Sequence, residues 1–341
     1  MKQDLAPDAM VRRHGGDLAA ARALFPDAPE PWIDLSTGIN PVPYPVGGVS
    51  AAAWERLPDG AALLSLKRSA ARFYGVSDPE MIAAAPGTQA IIQALPDLFP
   101  DSRVTIFGAS YGGHAQGWRG RCRSFAPRGS VEALTDGDIG IVVNPNNPDG
   151  RLVAVSALRD QARAMASEKG ALIVDEAFME VMPPQASLAP RAADCAAVVL
   201  RSFGKIFGLA GLRLGFAVTT PAHAAAITAR LGDWAVSGPA IEIGCRAFAD
   251  SAWLITARER LSRDAARLDE TLAHAGFVDL RGTPLFRFAR HVRAGRWFTH
   301  LGSRGILVRP FGDQPDRLRF GLPGDEPGWA RLTKALAEGP V

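Results

Sequence analysis

The 341-residue chain has only three cysteines, Cys122, Cys195 and Cys245, an odd number set far apart. That pattern fits neither a disulfide framework nor a metal knuckle, and the three read as reduced, mostly buried small residues. No metal site is expected. No stretch reaches the ~18 uncharged apolar residues that mark a membrane-spanning helix, and the opening Met1 to Asp17 lacks the apolar core of a secretory signal. A cytoplasmic protein with no membrane attachment is therefore expected. Nor is there an excess of one charge. The 38 Lys and Arg stand against 35 Asp and Glu, for a net +3 spread along the chain. This leaves no electrostatic footprint for nucleic acid or for a membrane surface, while anionic small molecules remain open. Internal repeats and low-complexity tracts are missing too. What is present, 47% hydrophobic and 21% charged residues, suffices for a full globular core in one large and one smaller domain.

Residues 1 to about 50 end in Pro41-Val42-Pro43-Tyr44-Pro45-Val46-Gly47-Gly48, whose spacing forbids regular helix and marks an arm or entry segment. Leu63, Leu66, Ala70 and Phe73 then share one helical stripe, with Lys67, Arg68 and Arg72 off it, predicting an amphipathic helix that ends at Gly75. Short apolar runs at 104–107, 139–143, 171–174, 197–200 and 214–218 alternate with helical patterns or Gly/Pro-rich turns, as buried strands of an α/β sheet do. A long helix is expected from about Ala240 to Gly276, with shorter strands and helices after it. The division expected is an arm over 1–50, a large domain over 51–225 and a small α+β domain over 226–341.

The most informative segment runs from Ser202 to Gly215, S-F-G-K-I-F-G-L-A-G-L-R-L-G. It follows an expected strand and sets glycines between Lys205 and Arg213, so the backbone can turn tightly and approach a ligand. A lysine on such a loop can form an imine with an aldehyde, while Ser202 and Arg213 can hold one phosphate. The pattern S-x-x-K-x-x-G-L-x-G-x-R-x-G resembles the pyridoxal phosphate (PLP) lysine signature of class I/II aminotransferases and their relatives. The resemblance implies the fold-type-I architecture, a large domain with a mostly parallel central sheet plus a smaller α+β domain. It also implies PLP as cofactor and Lys205 as its Schiff-base lysine.

Other segments fall in the order that family uses. Val174-Asp175-Glu176-Ala177 closes a strand, which puts Asp175 where open α/β sheets bind ligands. The resemblance gives Asp175 the pyridine nitrogen, which it keeps protonated. Asn144 to Gly150, N-P-N-N-P-D-G, resembles the family's N-P-N-N-P-T-G loop and gives Asn147 the cofactor's phenolic oxygen. Ala85-Pro86-Gly87-Thr88-Gln89 opens a helix, a ready anion site, and the family holds the cofactor phosphate there. Tyr111 occupies the place of the aromatic that stacks on the pyridine ring. Near the end, Arg319 in Leu318-Arg319-Phe320-Gly321 matches the family's carboxylate arginine, an assignment suited to its bidentate fork. Arg317 lies two residues earlier, and the motif favours Arg319.

Two positions depart from the general aminotransferase pattern. Phe178 stands where a tyrosine often assists at the phenolic oxygen. Leu57 stands where a tyrosine often reaches a neighbouring subunit's cofactor phosphate. The opening is more specific. His14-Gly15-Gly16, Asp34-Leu35-Ser36 and Ile39-Asn40-Pro41 resemble the H-G-G and D-x-S-x-x-I-N-P segments of the L-threonine-O-3-phosphate decarboxylases of cobalamin biosynthesis. That resemblance implies a substrate with its own phosphate, held by His14, Asn40 and Arg309, with Arg319 on the carboxylate. It also implies a homodimer acting on a small phosphorylated amino acid. A histidinol-phosphate-type aminotransferase and a non-catalytic binding subunit of the same fold are the alternatives.

Overall fold

The computed structural model describes residues 15–340, so His14 lies outside the described residues. The chain forms two compact units. The larger takes Pro43–Asn147 and Arg151–Ile255. The smaller takes the described part of Met1–Val42, Pro148–Gly150 and the described part of Thr256–Val341.

The larger unit is built on a seven-stranded sheet of β1 (Ile82–Ala85), β2 (Arg103–Phe107), β3 (Ser124–Arg128), β4 (Ile139–Val143), β5 (Ala171–Asp175), β6 (Val198–Ser202) and β7 (Gly215–Val218). Their order is β1-β7-β6-β5-β4-β2-β3. Neighbours from β6 to β3 run parallel, and β7 is antiparallel to both β6 and β1. Strands β4 and β5 are buried at every position, as strands covered on both faces must be, and this is why they read as unbroken apolar runs. Flanking helices are α1 (Gly60–Tyr74), α2 (Thr88–Leu98), α3 (Gly112–Trp118), α4 (Val155–Ser167), α5 (Pro221–Leu231) and α6 (Gly238–Ala249). Helix α1 is the amphipathic segment foreseen at Leu63. Asp59 caps its start by accepting from the Ala62 N–H, and Gly75 closes it in the left-handed conformation.

The structure departs from two expectations in the second half. The helix foreseen over 240–276 is two helices, α6 and α7 (Ser251–His274), because Asp250 ends the first and accepts from the Trp253 N–H at the start of the second. Expected domain boundaries at 50/51 and 225/226 stand beside an observed division at 42/43 and 255/256. Helix α5 packs on α2, and α6 on α1, which draws both into the larger unit.

The smaller unit carries an antiparallel sheet ordered β10-β11-β9-β8, from β8 (Val278–Thr283), β9 (Phe286–Arg290), β10 (Arg309–Pro310) and β11 (Arg317–Gly321). Helices α8 (Ala294–Gly302) and α9 (Glu326–Glu338) accompany it. The N-terminal segment joins this unit through a two-residue parallel pairing of Ile33–Asp34 with Ile306–Leu307. Among the described residues no helix is long and apolar enough to cross a membrane.

Candidate active site

In the larger unit one cleft of about 180 Å³ opens at the C-terminal ends of the parallel strands. All nine residues that the sequence nominated for the cofactor line it: Gly87, Thr88, Gln89, Tyr111, Asn147, Asp175, Ser202, Lys205 and Arg213. Each reaches the cleft from a strand end or the loop beyond it, the position at which open α/β sheets hold ligands.

One side of the cleft is an anion cradle. Helix α2 starts at Gly87 with no side-chain cap, so its first N–H groups are turned to whatever lies in the cleft. Gly87 has φ +89, and a Cβ there would sit 2.8 Å from Nη2 of Arg213, so glycine is required. Arg213 is itself left-handed at φ 56, with Nη1 donating to the Ala210 carbonyl at 3.1 Å. Together with the Ser202 hydroxyl, these donors suit a phosphate.

The cleft also holds an acid. Asp175 is 3% exposed, and its Oδ2 lies 2.9 Å from Nε2 of the wholly buried His114, while its Oδ1 accepts from the Ala177 N–H at 3.1 Å. His114 was not singled out from sequence. Its signal was its place one helical turn beyond Tyr111. Tyr111 donates its hydroxyl to Oε1 of Gln89 at 3.0 Å, and burial followed by the Asp175 charge pushes its phenol up. Lys205 has its ammonium 5.3 Å from the centre of the Phe178 ring, where the departure from tyrosine puts an apolar face beside the amine. Asn147 stands in a loop braced by Asn144, whose amide exchanges hydrogen bonds with the Val153 backbone at 2.8 and 3.3 Å. A buried carboxylate, an aromatic face, a lysine and a phosphate cradle in one cleft fit PLP. Ser202, Arg213 and the start of α2 would hold its phosphate, Asp175 its ring nitrogen, and Lys205 its aldehyde carbon.

The substrate candidates Asn40, Arg309 and Arg319 all belong to the smaller unit. Arg309 on β10 and Arg319 on β11 are directly opposed cross-strand partners. Burial, then the Arg309 charge, pushes Arg319 down to about 9, and burial alone pushes Arg309 down to about 10. Burial disfavours the charged form of each guanidinium, and an anion bound beside them would favour it. Arg317 is engaged instead by Asp279. Arg319 donates to the Ser36 carbonyl at 2.8 Å, and Ser36 ties the N-terminal motifs together: its hydroxyl donates to Asp34 at 2.5 Å and accepts from the Gly16 N–H at 2.7 Å. A Cβ at Gly15 would meet the Ser36 carbonyl oxygen at 2.3 Å, so the paired glycines fit because the two segments touch. Asn40 is 1% exposed, and its Oδ1 accepts from Arg260 at 2.7 Å and from the Val42 N–H at 3.0 Å. Neither Asp34 nor Arg260 was read from sequence as part of a site. Among the described residues no cluster of His, Cys, Asp or Glu could hold a metal ion.

Comparison with known proteins follows the same lines. The model of the family described as aminotransferase class I and II matches residues 48–336. A protein named threonine-phosphate decarboxylase from Sinorhizobium sp is 42% identical over 327 residues, 95% of this chain and 97% of that one. The protein of the same name from Pseudomonas aeruginosa is 39% identical over 326 residues, 95% and 96% of the two chains. The crystal structure of histidinol-phosphate aminotransferase from Sinorhizobium meliloti in complex with pyridoxal-5'-phosphate aligns with a TM-score of 0.84 at 20% identity, over 99% of this chain and 98% of that one, and so shares the fold. With a family match over most of its length and relatives this similar end to end, the chain belongs to the class I and II aminotransferase family.

Proposed function

We propose that the protein is a PLP-dependent decarboxylase that converts L-threonine O-3-phosphate to carbon dioxide and (R)-1-aminopropan-2-ol O-2-phosphate, a step of cobalamin biosynthesis. The observation that carries the reading is the opposed pair Arg309 and Arg319 in the unit that also joins Gly16, Asp34 and Ser36. The substrate has two anionic groups, a carboxylate and a phosphate, and the pair offers a guanidinium for each. The high identity to two threonine-phosphate decarboxylases supports the same substrate.

PLP, when bound, supplies an electron sink for the pair released as the Cα–carboxylate bond breaks. The protein does the rest. Arg319 holds the carboxylate through its planar fork, and Arg309, Asn40 and His14 hold the phosphate, which fixes the bond that is to break. Asp175, steadied by His114, keeps a proton on the ring nitrogen. Lys205 returns a proton to Cα, so the substrate loses carbon dioxide and gains one hydrogen.

The test is to supply the PLP-loaded protein with L-threonine O-3-phosphate alone. Carbon dioxide release over many turnovers without a keto acid acceptor is expected. Absence of release, with amino transfer from histidinol phosphate to a keto acid, would assign the protein to aminotransferases instead. Arg309→Gln is expected to lower kcat/KM for the phosphorylated substrate by about 10²-fold, mostly through KM, because it removes a charge-assisted contact to a group remote from the reacting bond. Steady-state kinetics on both proteins reads it, and an unchanged KM would remove Arg309 from the phosphate site.

A homodimer is part of the same proposal. Trp54, Leu57 and Trp234 of the larger unit are 70%, 68% and 60% exposed, apolar surface that a second copy would cover. Sedimentation at micromolar concentration should give twice the chain mass, and a monomer there would refute it.

A further inference from the structure

Behind the cleft, the ends of β5 and β6 are joined by a buried ionic cluster. The two strands are parallel neighbours with Asp175 paired to Leu200, and the Glu176 N–H donates to the Leu200 carbonyl at 2.9 Å, which brings Glu176 beside Arg201. Asp175 and Ser202 line the cleft, whereas the adjoining Glu176 and Arg201 do not. Arg201 donates from Nη1 to Glu176 at 2.5 Å and to the Ser187 hydroxyl at 2.7 Å, and from Nε to Glu180 at 3.1 Å. The Ser187 hydroxyl donates to Glu176 at 2.6 Å, and the Leu188 N–H donates to the other oxygen of Glu176 at 2.7 Å. The Tyr74 ring lies 4.7 Å from the Arg201 Cζ. Arg201, Glu176 and Glu180 are 5%, 0% and 3% exposed.

Taking three charges out of water is costly, and apolar residues of the same volume would fill the space at less expense. What the cluster provides is geometry. A planar guanidinium held by two carboxylates fixes the separation of the two strand ends, and those ends carry Asp175 on one side and the Ser202 to Lys205 turn on the other. We infer that Arg201, clamped by Glu176 and Glu180, is a positioning residue that sets Asp175 against the Ser202 to Lys205 turn and thereby governs the affinity and proton equilibrium of the bound cofactor. The inference rests on the PLP reading of the cleft, though not on the choice of substrate.

Burial raises both Glu176 and Glu180 against the pull of Arg201, so removing the arginine alone would leave two stranded carboxyls. The informative variant is therefore the uncharged triple, Glu176→Gln with Glu180→Gln and Arg201→Met, with Glu176→Gln alone as a milder companion that keeps hydrogen-bonding capacity. Three quantities are measured: the melting temperature of the apo-protein, the PLP dissociation constant by titration, and the pH midpoint of the visible absorbance of the loaded protein. The triple variant is expected to fold, to bind PLP at least about tenfold more weakly, in line with the sensitivity of sites to small misplacements, and to shift the pH midpoint. The single variant should move the same two readouts by less. A folded triple variant with wild-type affinity and midpoint would make the cluster merely structural and overturn the inference. If the triple does not fold, wild-type affinity and midpoint in Glu176→Gln have the same force. A wild-type protein that takes up no PLP would instead remove the cofactor reading on which the inference rests.

Discussion

Replacing Lys205 by alanine is expected to abolish the imine absorbance band of the PLP-loaded protein and to lower turnover by at least about 10³-fold, since a covalent anchor and a proton carrier are lost together. Lys205 is the one amine among the residues lining the cleft. No neighbour can take over imine formation, because Ser202, Asn147 and Arg213 offer only a hydroxyl, an amide and a guanidinium. The change should spare the fold, since Lys205 is only half-buried and stands on the loop beyond β6 rather than in a strand or helix. Phosphate anchoring through Ser202, Arg213 and the start of α2 should also survive, so the variant should still take up PLP, reversibly and without the imine band. Absorbance spectra before and after dialysis, with carbon dioxide release as the rate, check both halves. Retention of the band in Lys205→Ala would mean that another amine holds the cofactor and would sink the assignment of Lys205.

The residues that the sequence nominated and the cleft gathers share a physical property: their chemistry is local. Gly87, Asn147 and Lys205 lie on loops whose glycines and prolines announce a turn, and the loops of Asn147 and Lys205 each follow a strand visible as an apolar run. Strands β4 and β5 could be read because burial on both faces leaves no polar residue to interrupt them. What stayed hidden depends on pairings across long stretches of chain. His114 meets Asp175 over 61 positions and Arg319 meets Ser36 over 283, and no periodicity connects such residues. Arg201 and Glu180 belong to none of the motifs the sequence offered, and only the fold buries them against each other. The break at Asp250 was missed for the opposite reason. One capping aspartate in an alanine-rich segment is a weak local signal. The domain boundary followed suit, since α5 and α6 have the composition of either unit and only their packing on α2 and α1 assigns them.

Asp175→Asn separates the cofactor's retention from its activation. Asparagine has the same shape, can still accept from the Ala177 N–H and can donate to Nε2 of His114, so the buried site stays filled and hydrogen-bonded. The negative charge is lost. A neutral amide cannot hold a proton on the ring nitrogen, and without that proton the ring is a poorer sink for the electrons of the broken bond. The expected result is a protein that still binds PLP through Lys205, Ser202 and Arg213, with kcat lowered by about 10²- to 10⁴-fold, the range typical of losing a proton-positioning group. Cofactor content after gel filtration, set beside kcat from carbon dioxide release, reads the two separately. Loss of cofactor and activity together would make Asp175 an anchor rather than an activator. A kcat within a few-fold of wild type would show that the ring nitrogen needs no acid here, and the role given to Asp175 would then be wrong. Because His114 touches Asp175 and does not line the cleft, His114→Ala should lower kcat in the same direction by less, so a larger loss there than in Asp175→Asn would contradict the order in which the two residues are placed.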